Sequence, residues 1–355
     1  MKSKGMDYWR LRSDELRSKS NDSYTYRKNM LLLLKEQIPF DAYCCTLVDP
    51  VTLCSIGAVT EHSIEAIHHQ ILKIEYDETD VYSFESLLKD GVYIGRLSDS
   101  LGIQRSRRYE EVLKPNHFSD EIRCVLVFQG RCYGFLTLFK KQQAANPFFS
   151  NEDIDRLKII GPIMAEALQA YYLSIIEVQT FEGELEQGVI ILDTQLNIIS
   201  LNSKASKTLD SLRKMEDIAA PYLPKPLQVM CTRLLARHQP SAPLLIPVHE
   251  QGYIVAQVSI LRSTQENNFQ IAVSLNNATP KDMLSYLMKA YHLTLREQEV
   301  VLEIIKGSST KELAQHLMIS YHTAQDHLKA VFQKVQVSNR NELVWKLFSK
   351  YQMEP

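Results

Sequence analysis

Residues 293–344 read LTLREQEVVLEIIKGSSTKELAQHLMISYHTAQDHLKAVFQKVQVSNRNELV, and this stretch predicts four short helices. The first two begin with residue pairs spaced to cap a helix, because Thr294 is followed by Glu297 and Ser309 by Glu312. At this spacing the hydroxyl accepts from the third N–H group of the helix, and the carboxylate accepts from the N–H group of the capping residue. Each pair therefore predicts a helix start.

The third predicted helix begins after Ser320 and has two different faces. Apolar residues recur at steps of three and four, which indicates one buried face; they are Ala324, Leu328, Val331, Phe332 and Val335. Polar residues occupy the other face: His322, Thr323, Gln325, Asp326, Lys329 and Gln333. A short helix, a tight turn and a longer helix with a polar outer face are the parts of a helix-turn-helix, whose second helix fits the major groove of DNA.

The stretch resembles the C-terminal DNA-binding domain of LuxR-type transcriptional regulators over about sixty residues. It departs from the family pattern at three positions. Leu295 replaces the proline usual at the first helical position, and Gln325 replaces a lysine common on the recognition helix. Gln336 replaces the glycine usual between the third and fourth helices, which should cost about 1 kcal/mol if that residue has positive φ.

The resemblance implies which side chains meet DNA. It places Gln325, Asp326 and Lys329 at or beside the base edges, and it turns a second group toward the phosphates: Thr323, His327, Lys334 and Arg340. A carboxylate in the groove repels phosphate but can accept from cytosine N4, and a glutamine can bond the edge of adenine. We therefore expect this helix to trade general affinity for selectivity. For His327, packing or a phosphate contact is expected rather than metal binding.

The charge of the C-terminal segment is low for a DNA-binding domain. Residues 290–355 contain eight Lys and Arg against seven Asp and Glu, a net charge of +1, and the whole chain carries −2. Non-specific affinity for DNA increases with the number of phosphates neutralised. We therefore expect a homodimer that reads two half-sites about 10 bp apart. The low charge also keeps open an alternative, a protein-interaction regulator that sequesters another factor and has a vestigial helix-turn-helix.

The composition is that of an ordinary soluble protein, and a cytoplasmic location is expected. At 355 residues, with 45% hydrophobic and 23% charged residues, the chain should form two or three domains. The N-terminus lacks an apolar signal region, and the longest early apolar run, residues 30–34, is too short for a membrane span. The six cysteines show no metal-binding spacing. They are expected to be reduced core residues, with a redox or iron-sensing role as the alternative.

Residues 1–22 are predicted to be an N-terminal extension, either a frayed or a packed helix. Residues 23–172 are expected to form a first sensor domain, with helices at 24–34 and 64–72 and strands at 42–48 and 51–59. Two further strands, 120–128 and 132–139, predict a hairpin because Gly130 between them can adopt positive φ.

This order of elements, and the stretch SDEIRCVLVFQGRCYGFLTLFKK in particular, resembles a GAF domain. The resemblance implies a small-molecule site between the sheet and the segment from Tyr82 to His117. The candidate ligand-binding residues there are Tyr82, Phe84, Arg105, Arg108 and Tyr109. Arg105, Arg107 and Arg108 form a basic cluster that could meet an anionic effector or lie in a solvated loop.

A long helix is predicted to close this domain and link it to the next, over residues 150–182. Its apolar residues follow a near-heptad spacing: Leu157, Ile160, Met164, Leu168, Tyr171, Ile175 and Val178. Such a stripe could pair with its copy in a second subunit or pack on its own sheet. Pro162 is expected to kink the helix.

Residues 183–279 are predicted to form a second sheet domain. The stretch GVIILDTQLNIISLNSKA at 188–205 resembles the opening of a PAS domain, and the following helix and three strands suit that resemblance. A connecting helix at 282–290 then leads into the DNA-binding domain, 282–355. The expected fold class is thus multidomain α+β, with a GAF-like antiparallel sheet, a PAS-like sheet domain and a C-terminal all-α helix-turn-helix of four helices.

We find no catalytic motif, phosphate-binding loop or metal-ligand spacing in the sequence. The chain is therefore expected to be neither an enzyme nor a holder of a metal or cofactor. The leading hypothesis is a one-component regulator in which a small-molecule or protein signal at the GAF/PAS half controls dimer geometry and promoter binding. Its expected partners are double-stranded DNA, a second copy of the chain, a small-molecule effector and RNA polymerase, and no membrane.

Overall fold

The computed structural model describes residues 2–76, 80–99, 102–174, 186–237, 242–248, 252–262 and 269–348. In this part of the chain, two five-stranded sheets with their helices precede a segment that is entirely helical. The chain divides into two compact units, and the second consists mainly of the residues from Asn277 onward. The expected mixed α+β class is confirmed.

The first sheet is antiparallel, with strand order β2-β1-β5-β4-β3. Its strands are β1 (Ala42–Val48), β2 (Ser55–Thr60), β3 (Ile94–Arg96), β4 (Phe118–Phe128) and β5 (Arg131–Lys141). The prediction for β1 is confirmed to the residue, whereas β2 begins four residues later than expected. Residues 51 and 52 belong to a turn and not to the strand, because Oδ1 of Asp49 accepts from the N–H groups of Val51 and Thr52 at 2.9 and 2.7 Å.

The predicted hairpin is formed by β4 and β5. Phe128 pairs with Arg131, and the residues between them, Gln129 and Gly130, have φ of 49° and 74°. Positive φ at both positions of a two-residue turn matches the twist of the flanking strands. The hairpin prediction is confirmed, with a connection one residue shorter than expected.

The N-terminal segment is a packed helix. Helix α1 (Lys2–Lys19) lies against α2 (Ser23–Lys35). Trp9 is buried there, and Oγ of Ser13 lies 2.8 Å from the hydroxyl oxygen of Tyr26. The helix predicted over 64–72 is divided into α3 (His62–Glu65) and α4 (His68–Glu75). The elements that follow are α5 (Phe84–Lys89), α6 (Gly102–Arg105), a π-helical turn (Tyr109–Leu113) and α7 (Asn151–Ser174).

Helix α7 begins as predicted, because the N–H group and hydroxyl of Ser150 both donate to Oδ2 of Asp153, at 2.8 and 2.9 Å. Its apolar stripe is buried: Leu157, Ile160, Met164 and Leu168 are all 0% exposed. A Cβ atom added at Gly134 of β5 would lie 2.7 Å from Cδ1 of Leu168. Glycine at this position therefore allows α7 to pack closely on the sheet.

The buried stripe decides between the two alternatives for this helix. A stripe covered by its own sheet is not available to a second subunit, so pairing between subunits is excluded for the stripe from Leu157 to Leu168. Ile175 and Val178, which extended the predicted stripe, lie outside the described residues. The helix continues through Pro162.

The second sheet has strand order β7-β6-β10-β9-β8, the same pattern as the first. Its strands are β6 (Gly188–Leu192), β7 (Ile198–Leu201), β8 (Leu244–Val248), β9 (Gly252–Arg262) and β10 (Phe269–Asn277). Helices α8 (Ser203–Glu216) and α9 (Lys225–Arg237) lie between β7 and β8 in the chain. Asn202 caps α8, because its side chain accepts from the N–H group of Ala205 at 3.0 Å.

Helices α8 and α9 pack against β2 of the first sheet. Oε1 of Glu216 accepts from the N–H group of Ala58 at 2.9 Å, and Nζ of Lys225 donates to Oε1 of Glu65. The pair formed by Lys225 and Glu65 is almost fully buried. Both sheets therefore belong to one compact unit.

The described part of the second unit is helical from Pro280 onward. Its helices are α10 (Pro280–Ala290), α11 (Leu295–Ile305), α12 (Thr310–His316), α13 (Tyr321–Val335) and α14 (Arg340–Phe348). The packed pairs include α11 with α13, α12 with α13, and α10 with α14. The four helices predicted for residues 293–344 are thus confirmed, and the connecting helix begins two residues earlier than expected.

Candidate nucleic-acid interface and ligand cavity

Capping boxes fix the starts of α11 and α12. The N–H group of Thr294 donates to Oε2 of Glu297 at 2.7 Å, and the N–H group of Glu297 donates back to the Thr294 hydroxyl at 3.3 Å. Ser309 and Glu312 form the same reciprocal pair at the same two distances. Both predicted capping boxes are confirmed.

Helix α13 separates its buried and exposed faces as the sequence predicted. Ala324, Leu328, Val331 and Val335 are buried, whereas Phe332 is only partly buried. The exposed side chains on the opposite face are His322, Thr323, Asp326, Lys329 and Gln333. At 1.5 Å per residue this polar face is about 17 Å long. It can therefore contact several successive bases or phosphates.

The candidate contact residues on α13 fall into two groups. Thr323, Asp326 and Lys329 are exposed, whereas Gln325 and His327 are half-buried. Thr323 also belongs to the helix start, where its N–H group donates to the Ser320 hydroxyl at 3.1 Å. The exposed residues and Gln325 can meet a ligand without rearrangement of the helix.

The side chains of Lys334 and Arg340 form hydrogen bonds within the C-terminal domain. Nζ of Lys334 donates to both carboxylate oxygens of Glu297, at 2.6 and 2.8 Å, and to the carbonyl oxygen of His292 at 3.2 Å. Burial raises the pKa of Glu297, but the hydrogen bonds from Lys334 and Thr294 outweigh it and lower the pKa overall. Arg340 donates to the carbonyl oxygen of Ser308. These contacts clamp α13 to α11 and α14 to the start of α12.

Positive φ marks two positions around α13. Gln336, which replaces the family's glycine, has φ of 58° and ends the helix. Met318, in the turn between α12 and α13, has φ of 52° and is 92% exposed. Gln336 therefore has the positive φ for which a residue other than glycine was expected to cost about 1 kcal/mol.

The ligand candidates named from the sequence are spread over different environments. Arg105 is exposed, and Tyr109 packs partly buried against an apolar cluster of the first sheet domain. Tyr82 has φ of 54°, and its ring lies against Gly95. Arg108 is fully buried and forms ion pairs with Asp80 and Glu121. Only Phe84 of the five lines the cavity described next.

A cavity lies between one face of the first sheet, helices α4 and α5, and helix α9. The cavity volume is about 70 Å³, and the space counted together with its open mouth is about 790 Å³. Most of its wall is apolar. Sequence reasoning missed this site, because its walls come from residues as far apart as Cys44 and Arg233.

Behind Arg123 and Glu75, which line the cavity, buried side chains of alternating charge form a connected row. Arg123 donates to Glu75 and, at 3.1 Å, to Oε1 of Glu121, and its guanidinium lies 4.5 Å from the ring centroid of Phe84. Arg108 donates to Oε2 of the same Glu121 at 2.8 Å. Burial opposes ionisation of Glu121, but the two guanidinium groups lower its pKa overall. These charges are therefore paired with one another.

His68 joins the cavity wall to α9. Its Nδ1 atom lies 3.0 Å from Oε1 of Gln228, whose Nε2 atom donates to the carbonyl oxygen of Leu223 at 2.7 Å. That second bond orients the amide, so Nδ1 of His68 is the donor. Burial and the nearby charge of Lys225 hold the pKa of His68 well below its usual value, so the ring is neutral.

The described cysteines are all buried and unpaired. Burial raises the pKa of the Cys45, Cys124 and Cys231 thiols to about 12, which disfavours the reactive thiolate. Within the described ranges, no group of three or more His, Cys, Asp or Glu side chains could hold a metal ion. None of the helices described combines the length and apolar character that a membrane span requires.

Residues 291–347 match the model of the family described as GerE, "Bacterial regulatory proteins, luxR family". This range contains α11 to α13, nearly all of α14 and the exposed face of α13. The C-terminal domain is therefore a luxR-family helix-turn-helix domain. No curated protein matches the chain.

Several solved structures are similar at low identity. SdiA of Escherichia coli shares 12% identity, with 97% of this chain and 97% of that chain covered, at a TM-score of 0.33. VqmA of Vibrio cholerae, in a complex with ligand and DNA, shares 16%, with 47% of this chain and 84% of that chain covered, at 0.23. A chain of the E. coli DhaR(N)–DhaL complex shares 12%, with 78% and 88% covered, at 0.24. Identity and TM-score are low throughout, so the family assignment rests on residues 291–347.

Proposed function

We propose that the chain is a one-component transcriptional regulator whose C-terminal domain binds double-stranded DNA. The observation that carries this proposal is the exposed polar face of α13, which follows the short helix α12 in a domain of the luxR family. Helix α13 would lie in the major groove, since the second helix of a helix-turn-helix has that role.

The residue roles follow from exposure. Gln325, Asp326 and Lys329 would reach base edges or neighbouring phosphates, and Thr323 and His327 would contact phosphates. Lys334 and Arg340 would support binding mainly by holding the helices together, because Nζ of Lys334 and a guanidinium nitrogen of Arg340 already donate within the domain. Asp326 would favour cytosine at its position and disfavour binding to DNA in general.

We assign a sensing role to the first unit. The two sheets share one strand order, which supports the assignment of a GAF-like and a PAS-like domain. The cavity beside α9 would hold the effector. A signal there would change how two subunits are arranged, and hence how well two recognition helices fit successive major grooves. The apolar stripe of α7 is buried, so the contact between subunits would lie elsewhere. At a promoter in the cytoplasm, such a dimer could act on RNA polymerase.

The test is binding of the full-length protein to duplexes selected from a random pool, measured by fluorescence anisotropy at several salt concentrations. Lys329→Ala should weaken binding to selected and random duplexes alike and reduce the slope of log K against log salt by about 1. Asp326→Ala should tighten binding to random duplexes and reduce the ratio of the affinity for selected duplexes to that for random ones. Lys289→Ala, which removes an exposed charge from α10, is the control and should leave both properties unchanged.

Two results would contradict the proposal. If the wild-type protein shows no salt-sensitive binding to any duplex, the helix-turn-helix is not a DNA reader, and a protein-interaction regulator explains the chain better. If Asp326→Ala weakens binding to every sequence equally, Asp326 does not select bases.

A further inference from the structure

We propose that the cavity beside α9 binds a small molecule with an oxyanion group, a carboxylate or a phosphate monoester, on an apolar body about 12 Å long. Arg233 of the second sheet domain binds the oxyanion. The proposal depends on the proposed function only in treating this molecule as the regulator's effector.

The apolar part of the cavity fits the body of such a ligand. Phe84 and Phe135 stack with ring centroids 4.1 Å apart and an interplanar angle of 15°. Ile71 and Leu72 of α4 and Val229 of α9 line the same cavity. Burying an aliphatic chain or an aromatic ring against these groups removes apolar surface from water on both sides.

Arg233 distinguishes this cavity from a plain apolar pocket. Its guanidinium donates to the carbonyl oxygen of Thr52 at 2.6 Å and to Sγ of Cys54 at 2.8 Å, and it lies 5.7 Å from the ring centroid of Tyr76. All three partners are neutral. A half-buried guanidinium held by neutral groups gains most from an oxyanion, because the charge-assisted hydrogen bond is the stronger kind.

The other charged groups at the cavity are already paired. Arg123 is bonded to Glu75, Lys225 to Glu65, and Glu85 to Arg237. A cationic ligand would have to compete with an arginine for Glu75 or Glu85. Within the described part of the cavity wall, the charge that remains to be balanced is therefore positive, and an anion is favoured over a cation.

The length of the ligand follows from α9. Lys225, Val229 and Arg233 line the cavity at intervals of four residues, so they lie along one face of the helix. The span from Lys225 to Arg233 is eight residues, or about 12 Å. A chain of about ten carbon atoms, or a phenyl ring with a short alkyl linker, matches this span in length and would extend from the cavity into its open mouth.

The position of α9 gives ligand binding a consequence. This helix belongs to the second sheet domain, and it is held to the first by the contacts of Lys225 with Glu65 and of Gln228 with His68. A ligand between α9 and the first sheet would add contacts to both. Binding would therefore stabilise the packing of α9 against the first sheet domain.

Isothermal titration of the full-length protein tests the inference with matched ligands. The oxyanions are decanoate, 4-phenylbutyrate and monodecyl phosphate, and the comparison compounds are decanamide, 4-phenylbutanamide, decylamine and 4-phenylbutylamine. At least one oxyanion should bind at least about tenfold more tightly than its amide and amine counterparts. The carboxylate and phosphate arms show which oxyanion is preferred.

Variants locate the site. Arg233→Gln should remove the preference for oxyanions while leaving amide binding unchanged, and Arg233→Lys should restore part of it. Arg262→Gln is the matched control, because it removes the same charge from an exposed side chain that does not line the cavity. Val229→Phe fills the cavity and should weaken all ligands, which keeps the test available if Arg233→Gln does not fold.

The outcomes separate this inference from the proposed function. Three results would overturn the inference: the protein binds none of the oxyanions, it binds the amides or amines as tightly as the oxyanions, or Arg233→Gln binds oxyanions as tightly as the wild type. DNA binding by the same preparation, measured without ligand, tests the regulator function independently. If the protein binds DNA but no oxyanion, the proposed regulator function is supported and the oxyanion site is not. If it binds an oxyanion but no DNA, only the ligand site is supported.

Discussion

Glu303 shows how one side chain secures the helix-turn-helix domain. Its carboxylate accepts from Nδ1 of His316 at 2.6 Å, Nζ of Lys306 at 2.7 Å and the Ser308 hydroxyl at 2.9 Å. These hydrogen bonds, that of His316 first, lower the pKa of Glu303 to about 2. They tie α11 to the end of α12, and thus fix the element that packs beneath α13.

Glu303→Gln should destabilise the C-terminal domain by about 1–2 kcal/mol at pH 7, because charge-assisted hydrogen bonds are replaced by weaker ones. A carboxyl whose pKa is lower in the folded state stabilises the fold above its unfolded pKa. The difference between wild type and variant should therefore shrink as the pH falls from about 4.5 toward 2. Urea unfolding followed by Trp345 fluorescence in a Trp9→Phe background measures it.

The control for this prediction is Glu299→Gln, which removes an exposed carboxylate that pairs with Arg296. It should change stability by less than about 0.5 kcal/mol. An unchanged difference between wild type and Glu303→Gln from pH 7 to pH 3 would show that Glu303 does not contribute through its charge.

At the scale of residues, local partners were predictable and distant ones were not. The pair of Thr294 and Glu297 is three residues apart, so helix geometry alone predicts the contact, and the structure confirms it. Lys334 meets the same Glu297 across 37 residues. No spacing rule identifies such a partner, so a free cation facing phosphate was expected there.

At the scale of elements, the ends of two helices in the C-terminal domain depart from the LuxR-type pattern that the sequence resembles. Gln336→Gly should stabilise the C-terminal domain by about 0.5–1 kcal/mol, because Gln336 ends α13 with φ of 58° and glycine adopts that conformation without strain. The matched control is Gln333→Gly, an exposed position inside the same helix. It should destabilise the domain by about 1 kcal/mol.

Urea unfolding of the two variants, followed by Trp345 fluorescence, compares the same substitution at two sites. Equal destabilisation by both would mean that Gln336 is not strained, and that the helix end tolerates a side chain at no cost.

Among the elements, periodicity predicted which face of a helix is apolar but not what covers that face. The buried face of α13 was expected and is found. The stripe of α7 was identified equally well, but its two possible partners, a second subunit and its own sheet, produce the same sequence pattern. Gly134 opposite Leu168 decides the matter, and that contact joins positions 34 residues apart.

For the whole molecule, the cavity is the feature that sequence analysis could not assemble. Its wall combines strand residues near Cys44, helix residues near Ile71 and the α9 residues around Val229. The expected ligand segment, residues 82–117, contributes Phe84 and Glu85. A site built from two sheet domains requires the packing of α9 on β2, and the hydrophobic pattern of α9 does not specify that neighbour.

The charge of the whole molecule predicts how it must bind DNA. Residues 290–355 carry a net charge of +1 and the chain carries −2, so one domain neutralises few phosphates and should bind weakly alone. Two linked domains bind together with a much higher effective concentration. The full-length protein should therefore bind a duplex with two half-sites about 10 bp apart at least about tenfold more tightly than a duplex with one.

Spacing provides the control for this prediction. Moving the half-sites to about 15 bp apart places them on opposite faces of the duplex and should reduce affinity to the single-site level, whereas about 20 bp restores the phase. Anisotropy titrations, with the subunit count of each complex measured by native mass spectrometry, give both quantities. Equal affinity for one and two half-sites, or a complex with one subunit at full affinity, would show that the regulator binds as a monomer. In that case the base contacts of a single α13 would have to supply the affinity that the low net charge of the domain does not provide.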